Sequence, residues 1–281
     1  MALGHQSARG GAFAALHLMS PSASVESDGL FYFFPTDDWI IGRSLYMNGG
    51  WDEDYLNCAV DLVGRLSAGP AVGGGVVLDV GANIGTTALQ LLHRFDVPRV
   101  VAVEPSPVCL RYLRANVAAN GFSDRCTIVE LAVSDVAGSV ALQTDADNSG
   151  GAQIVGDELL ADVVVPSETL DEILLATGVD PGSVSMVWVD VEGHEYRVLK
   201  GAGRLLEADV PFFIEFWPRR LRENGDFDLL VDLIVGQMTQ IVDVRARVDG
   251  TRPAVVEPTR AGMLATSAAL GAWPTDLLLI P

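Results

Sequence analysis

An apolar segment that runs directly into a glycine-hinged turn limits the folds open to this chain more than any other feature of its sequence. Residues 76–80 are Val, Val, Leu, Asp and Val, and the turn Gly81–Gly85 and a helical pattern follow at once. A second apolar run, residues 100–103, ends on Glu104. In open α/β sheets such a turn brings backbone N–H groups close to a ligand, and the acid ending the second strand binds ribose hydroxyls. The sequence therefore predicts a nucleoside site.

Strand and helix patterns alternate from Val76 onwards, which predicts an α/β fold with a mostly parallel sheet and helices on both faces. We predict seven strands, at residues 76–80, 99–104, 126–133, 184–190, 210–216, 239–246 and 275–280. Helices are predicted near residues 84–95, 107–119, 167–177, 194–207 and 226–237. The last two strands are expected to pair antiparallel, because little chain separates them that could form a crossover helix.

Two regions are predicted along the chain: residues 1–70 form an N-terminal arm and lid-like extension, and residues 71–281 form the cofactor-binding domain. Residues 1–30 are rich in Ser, Ala and Gly and are expected to be loosely ordered. The aromatic side chains in residues 31–51 indicate either a lid over an acceptor pocket or a hydrophobic cover on the sheet. A helix is predicted at residues 54–67.

Composition excludes several classes of function. The formal net charge of −19 would repel phosphate backbones, so we expect no nucleic-acid partner. No apolar run approaches the roughly 18 residues of a membrane span, so we expect no membrane partner. Cys58, Cys109 and Cys126 have no metal-ligand spacing and are interpreted as free thiols in a reducing cytoplasm.

The spacing of the turn favours one nucleoside cofactor over another. A dinucleotide fold needs G-x-G-x-x-G, whose middle glycine admits a pyrophosphate, but residue 83 is Asn. The carboxylate of Asp79 would also repel an anion and attract a cation. S-adenosylmethionine carries an ammonium, a sulfonium and a ribose that Glu104 could hold, so the sequence favours it over NAD. The alternative is that Gly81 and Gly85 only permit close strand–helix packing.

A cluster of acids and an imidazole follows the predicted strand 184–190. Asp190, Glu192 and His194 lie where this strand meets the next helix, and the pKa of an ordinary His suits proton transfer near neutrality. We predict His194 as the catalytic base, with Asp190 or Glu192 orienting it; a structural His194 is the alternative. Glu215, within an aromatic strand, is either a structural acid or an active-site group. A divalent metal held by Asp190, Glu192 and Glu215 is left open.

These motifs together resemble the FkbM-type family of S-adenosylmethionine-dependent methyltransferases, over about residues 36–246. The matching segments are Leu78–Gly85, Val103–Pro105, Leu131–Asp135, Thr169–Asp171, Val189–Glu195, Val198–Ala202 and Ile214–Glu215. The resemblance implies a class I methyltransferase sheet and methyl transfer to oxygen, on a hydroxyl of a secondary metabolite or sugar.

The resemblance also implies site residues. The methionine part of the cofactor would be lined by Asp79, Gly81, Asn83 and Gly85, and Asp190 would face the neighbourhood of the methyl group. Glu104 would hold the ribose, and Ala132 and Val133 would flank the adenine.

The expected partner is a small hydroxylated acceptor, and whether the chain forms a homodimer is left open. Two other hypotheses also stay open from the sequence. One is a nicotinamide oxidoreductase on the same sheet, and the other is a non-catalytic cofactor-binding module.

Overall fold

A computed structural model describes residues 2–145, 148–155 and 161–281 of the chain. The strands are β1 (Ser22–Ser27), β2 (Leu30–Pro35), β3 (Val76–Val80), β4 (Arg99–Val103), β5 (Cys126–Val129), β6 (Ala132–Val133), β7 (Gly138–Asp145), β8 (Asn148–Val155), β9 (Val163–Glu168), β10 (Val184–Val189), β11 (Phe212–Phe216), β12 (Gln240–Asp243), β13 (Val255–Val256) and β14 (Thr275–Ile280). The α-helices are α1 (Ala2–Met19), α2 (Ile41–Asn48), α3 (Glu53–Leu66), α4 (Thr86–Arg94), α5 (Pro107–Ala119), α6 (Leu170–Thr177), α7 (Glu195–Lys200), α8 (Gly203–Glu207), α9 (Pro218–Glu223), α10 (Phe227–Gln237), α11 (Val244–Asp249) and α12 (Arg260–Leu270). Within these ranges no helix has both the length and the apolar character that a membrane crossing requires.

The central sheet has the strand order β13-β12-β14-β11-β10-β3-β4-β5. Strands β5, β4, β3, β10 and β11 run parallel, and β14 lies antiparallel between β11 and β12. The predicted α/β fold is therefore confirmed. The sheet has eight strands rather than the predicted seven, because the two-residue strand β13 extends its edge.

The antiparallel pairing of the last two predicted strands, now β12 and β14, is also confirmed. The reason given for it was wrong, since helices α11 and α12 lie between these strands.

Both faces of the central sheet are buried, which explains why its strands read as nearly continuous apolar runs. In β3, Val77 contributes to one hydrophobic core and Leu78 to the other, and in β4 Val100 and Val101 divide in the same way. Side chains alternate between the faces of a strand, so each strand feeds both cores. Because β3, β4 and β10 run parallel, the polar residues that follow these strands meet at one edge of the sheet.

The N-terminal region is ordered where the structure describes it, which corrects the expectation for residues 1–30. Residues 2–19 form helix α1, and residues 22–35 form the β1–β2 hairpin. Phe13 is fully buried, with its ring 5.2 Å from the ring of Trp39, and it belongs to the same core as Val77 of the sheet. This apolar anchor explains the order. The division at residue 70 stays a prediction.

A second, four-stranded sheet has the order β6-β9-β7-β8. It follows directly from β5, and Leu142, Val165 and Ala132 form its small core. The predicted strand 126–133 is divided between β5 of the central sheet and β6 of this one, and the sequence did not predict β7, β8 or β9. Two residues of the connection within the β7–β8 hairpin, 146 and 147, lie outside the described residues.

Candidate active site

The turn after β3 is held against the end of the neighbouring strand β10. Gly81 has φ of +83°, and its N–H donates to the carbonyl oxygen of Val103 at 2.9 Å. A Cβ at this position would lie 1.8 Å from the backbone oxygen of Asp190. Gly85, with φ of +90°, starts helix α4. Only glycine combines the left-handed conformation with such a close approach.

Glu104 lies beside this turn, as the sequence predicts. Its Oε2 accepts a hydrogen bond from the backbone N–H of Asn83 at 2.8 Å, and its Oε1 accepts one from Ser106 N–H at 2.7 Å. These bonds fix the carboxylate, which is only 5% exposed. Burial raises the pKa of Glu104 to about 7, against the opposing effect of the two N–H donors. A positively charged or hydroxylated ligand would favour the ionised form.

A first cavity, here the glutamate cavity, is walled by apolar residues around Glu104. It is lined by Val80, Gly81, Val103, Glu104, Pro105, Leu131, Ala132, Val133, Leu142, Ala152, Ile154, Asp190, Val191 and Glu192. The predicted adenine neighbours Ala132 and Val133 are among them. The β7–β8 hairpin supplies Leu142, Ala152 and Ile154, which the sequence reasoning missed.

A second cavity of about 340 Å³, here the tryptophan cavity, is lined by four of the chain's five Trp residues. It is lined by Ile40, Ile41, Trp51, Asp52, Gly81, Ala82, Asn83, Thr86, Thr87, Trp188, Asp190, Glu192, Glu215, Trp217, Arg245, Trp273, Pro274 and Asp276. Gly81, Asp190 and Glu192 line both cavities. Ligands in the two cavities would therefore meet at these three residues.

Carboxylates dominate the shared part of the two cavities. Burial, and then repulsion from Glu192, Asp276 and Asp52, raises the pKa of Asp190 well above its ordinary value. Burial, and then repulsion from Asp190, does the same to the pKa of Glu215. Such a cluster is stabilised by a cation and would be destabilised by a diphosphate.

His194 is not brought together with the other predicted catalytic residues. Among the described residues it lines neither cavity, and its Nε2 lies 3.1 Å from Ser134 Oγ. Burial, and then the nearby Arg197, lowers its pKa to about 4. The intervening Glu192 and Gly193 have φ of +54° and +97°, so the chain turns sharply between Asp190 and His194.

Two predicted cofactor residues also lie away from the cavities. Asp79 is 1% exposed and Gly85 is buried, and neither is among the described residues that line the glutamate and tryptophan cavities. Burial, and then Glu104, raises the pKa of Asp79 to about 7. Asn83, in contrast, lines the tryptophan cavity, and its buried Oδ1 has no hydrogen-bond partner among the described residues.

The described residues include no group of three or more His, Cys, Asp or Glu side chains arranged to hold a metal ion. The alternative in which Asp190, Glu192 and Glu215 are metal ligands stays a hypothesis.

A mostly parallel sheet in which β13 and β14 run opposite to the other strands, a glycine turn after β3, and a buried acid after β4 agree with the class I methyltransferases. Their cofactor is S-adenosylmethionine, which agrees with the acidic junction of the two cavities. The sequence profile of the methyltransferase FkbM domain matches residues 79–241. The chain therefore belongs to the FkbM family of S-adenosylmethionine-dependent methyltransferases, and the resemblance drawn from the sequence is confirmed.

Individual relatives are distant. Methyltransferase sdnD of Sordaria araneosa is 27% identical over 193 residues, which cover 56% of this chain and 74% of that protein. The 2-O-methyltransferase NoeI of Sinorhizobium fredii is 26% identical over 165 residues, 53% of this chain and 66% of that protein. The crystal structure of a methyltransferase FkbM from Methylobacillus flagellatus has a TM-score of 0.45 and 17% identity. That alignment covers 84% of this chain and 52% of the other, so this chain spans about half its length.

Proposed function

We propose that the protein transfers a methyl group to a hydroxyl of a small molecule, a secondary metabolite or a sugar-containing natural product. The observation that carries the proposal is the junction of the two cavities at Asp190 and Glu192. A donor in the glutamate cavity and an acceptor in the tryptophan cavity would meet there. The name of the similar NoeI protein, a 2-O-methyltransferase, supports transfer to oxygen.

The residues of the first cavity fit S-adenosylmethionine. The Glu104 carboxylate is fixed by two backbone N–H groups and can accept ribose hydroxyls, and Ala132 and Val133 offer apolar contacts for adenine. When bound, S-adenosylmethionine supplies a methyl group already activated on a sulfonium, so the protein has chiefly to align the acceptor oxygen.

Asp190 is the group we propose to receive the hydroxyl proton. It directly follows β10 and lines both cavities, and its raised pKa makes it a stronger base than an ordinary Asp. Glu192, held 3.7 Å from Arg220, is proposed to orient the acceptor. His194 is left out of this proposal, because it faces Ser134 rather than either cavity.

The N-terminal extension is proposed to complete the acceptor site. Ile40, Ile41, Trp51 and Asp52 line the tryptophan cavity, although Tyr32 and Phe34 of the same region are buried in the core. Residues 31–51 thus contribute both to a hydrophobic cover and to a cavity wall. A homodimer and a cytoplasmic location stay predictions.

Methyl transfer from isotope-labelled S-adenosylmethionine to a panel of hydroxylated acceptors tests the function. Each acceptor is paired with an analogue in which hydrogen replaces the hydroxyl. Label should enter the hydroxylated member alone, and Asp190→Asn should lower kcat by about a hundredfold or more while S-adenosylhomocysteine still binds.

The exposed Asp124→Asn, with the same change of charge, is the matched control. Label on nitrogen or carbon, or full activity of Asp190→Asn, would contradict the proposal.

A further inference from the structure

We infer that the acceptor carries a positively charged amine, protonated or quaternary, in addition to the hydroxyl that is methylated, and that this amine binds in the tryptophan cavity. The inference rests on the proposed function in one respect: the acceptor is taken to occupy that cavity. It narrows the substrate to hydroxylated amines.

The first argument is the charge of the lining. The described residues contribute five carboxylates and a single cation, Arg245. Arg245 is engaged already, since its guanidinium lies 2.8 Å from the carboxylate of Asp276 and 4.8 Å from the ring centre of Tyr55. The carboxylates that line the cavity are Asp52, Asp190, Glu192, Glu215 and Asp276. Of these five, Glu192 is paired with Arg220, and Asp276 with Arg245. A neutral or anionic acceptor would leave the other three without an ion pair among the described residues.

The second, independent argument is a buried carboxylate oxygen that has no hydrogen-bond partner among the described residues. Glu215 lies on β11 between Ile214 and Phe216, which are both fully buried. Its Oε2 is inaccessible and has no hydrogen-bond partner among the described residues. A buried polar atom without a partner is costly unless a ligand supplies one. Because Oε2 itself is inaccessible, an ammonium in the cavity would stabilise the Glu215 carboxylate through its charge.

The third argument is the aromatic wall. Indole faces attract cations more strongly than any other side-chain ring. Trp51, Trp188, Trp217 and Trp273 line the cavity, and the ring of Trp217 already has the guanidinium of Arg220 4.8 Å from its centre. Trp188 stacks on Phe213, with the ring centres 3.6 Å apart, so its orientation is fixed.

A neutral sugar would also stack on indoles, but it needs hydrogen-bond donors as well as acceptors from the protein. The Nε1–H of Trp217 is already donated to the carbonyl oxygen of Ala272 at 2.8 Å, and Arg245 is paired with Asp276. In the described lining, five carboxylates therefore face a single guanidinium that is already paired. This excess of carboxylates suits a cationic ligand, whether the ligand donates hydrogen bonds or contributes only its charge.

Choline and its uncharged isostere 3,3-dimethylbutan-1-ol provide a matched pair of probes, both with a hydroxyl. Their binding is followed by tryptophan fluorescence of the full chain saturated with S-adenosylhomocysteine. Choline should bind at least about tenfold more tightly than the isostere. Glu215→Gln should weaken choline binding by about fivefold or more without changing the affinity for S-adenosylhomocysteine.

Asp52→Asn is the second variant, so that the test does not depend on the correct folding of Glu215→Gln. Asp52 has φ of +52°, a conformation that Asn accepts readily. It should also weaken choline binding, whereas Asp54→Asn, at an exposed position outside the cavity in the first turn of α3, should not.

Equal affinity for choline and the isostere, or a choline preference that survives both cavity variants, would overturn the inference. A protein that methylates neutral acceptors and shows no choline preference would refute the inference but keep the proposed function. Label transfer to nitrogen alone would refute the proposed function instead.

Discussion

Replacing Gly81 by Ala should damage both the fold and the cofactor site. The left-handed conformation at φ of +83° costs an L residue about 1–2 kcal/mol. The added Cβ would also lie 1.8 Å from the Asp190 backbone oxygen, so the turn and β10 must separate. Overpacking of this kind typically costs about 1–3 kcal/mol, which brings the total loss of stability to about 2–5 kcal/mol. The melting temperature should fall by about 10 °C.

Gly121→Ala isolates the contribution of the contact. Gly121 has φ of +73°, but a Cβ there would meet nothing within 4 Å. Urea unfolding should therefore show a loss of about 1–2 kcal/mol for Gly121→Ala and clearly more for Gly81→Ala. Calorimetric titration should show weakened binding of S-adenosylhomocysteine in Gly81→Ala alone. If the two variants were equally stable and bound the ligand equally well, the reasoning about this turn would be refuted.

Three further outcomes are expected. Glu104→Gln should weaken binding of S-adenosylhomocysteine by about tenfold, because it removes one charge-assisted hydrogen bond; unchanged affinity in a titration would contradict the ribose assignment. His194→Asn should retain nearly the full methyl-transfer rate, since the side chain faces Ser134, and a hundredfold loss would restore it as the base. Asp79 and Glu104 have pKa values raised to about 7 in the folded state, so the folded protein binds more protons than the unfolded chain at mildly acidic pH. The ligand-free protein should therefore lose stability as the pH rises from about 5 to about 8, and a constant urea midpoint over that range would contradict this sign.

The sequence predicted those elements whose local signals agree with their tertiary setting. Helix α5 has its predicted bounds, because Ser106 caps it and Pro107 occupies its first turn. Strand β3 was also placed correctly, since burial on both faces requires an unbroken apolar run. The β7–β8 hairpin was missed, because residues 148–151 are Asn, Ser, Gly and Gly, a composition typical of loops.

The donor half of the site was easier to predict than the acceptor half. Gly81, Glu104 and Ala132 follow consecutive strands, so strand order alone brings them to one edge of the sheet. The acceptor half combines residues far apart in the chain, such as Trp51 and Trp273, and no local pattern signals that they meet. His194 was misplaced relative to Asp190 because sequence proximity does not reveal two successive residues with positive φ.

The contribution of distant chain segments to the tryptophan cavity has a consequence for engineering. Residues within 40–52 and 273–276 contribute to its lining, whereas Glu104, Ala132 and the hairpin line the glutamate cavity alone. Exchanging those two short segments between relatives should redirect acceptor selectivity while methyl-donor affinity is preserved. Gly81, Asp190 and Glu192 are common to both halves, so a chimaera must retain them.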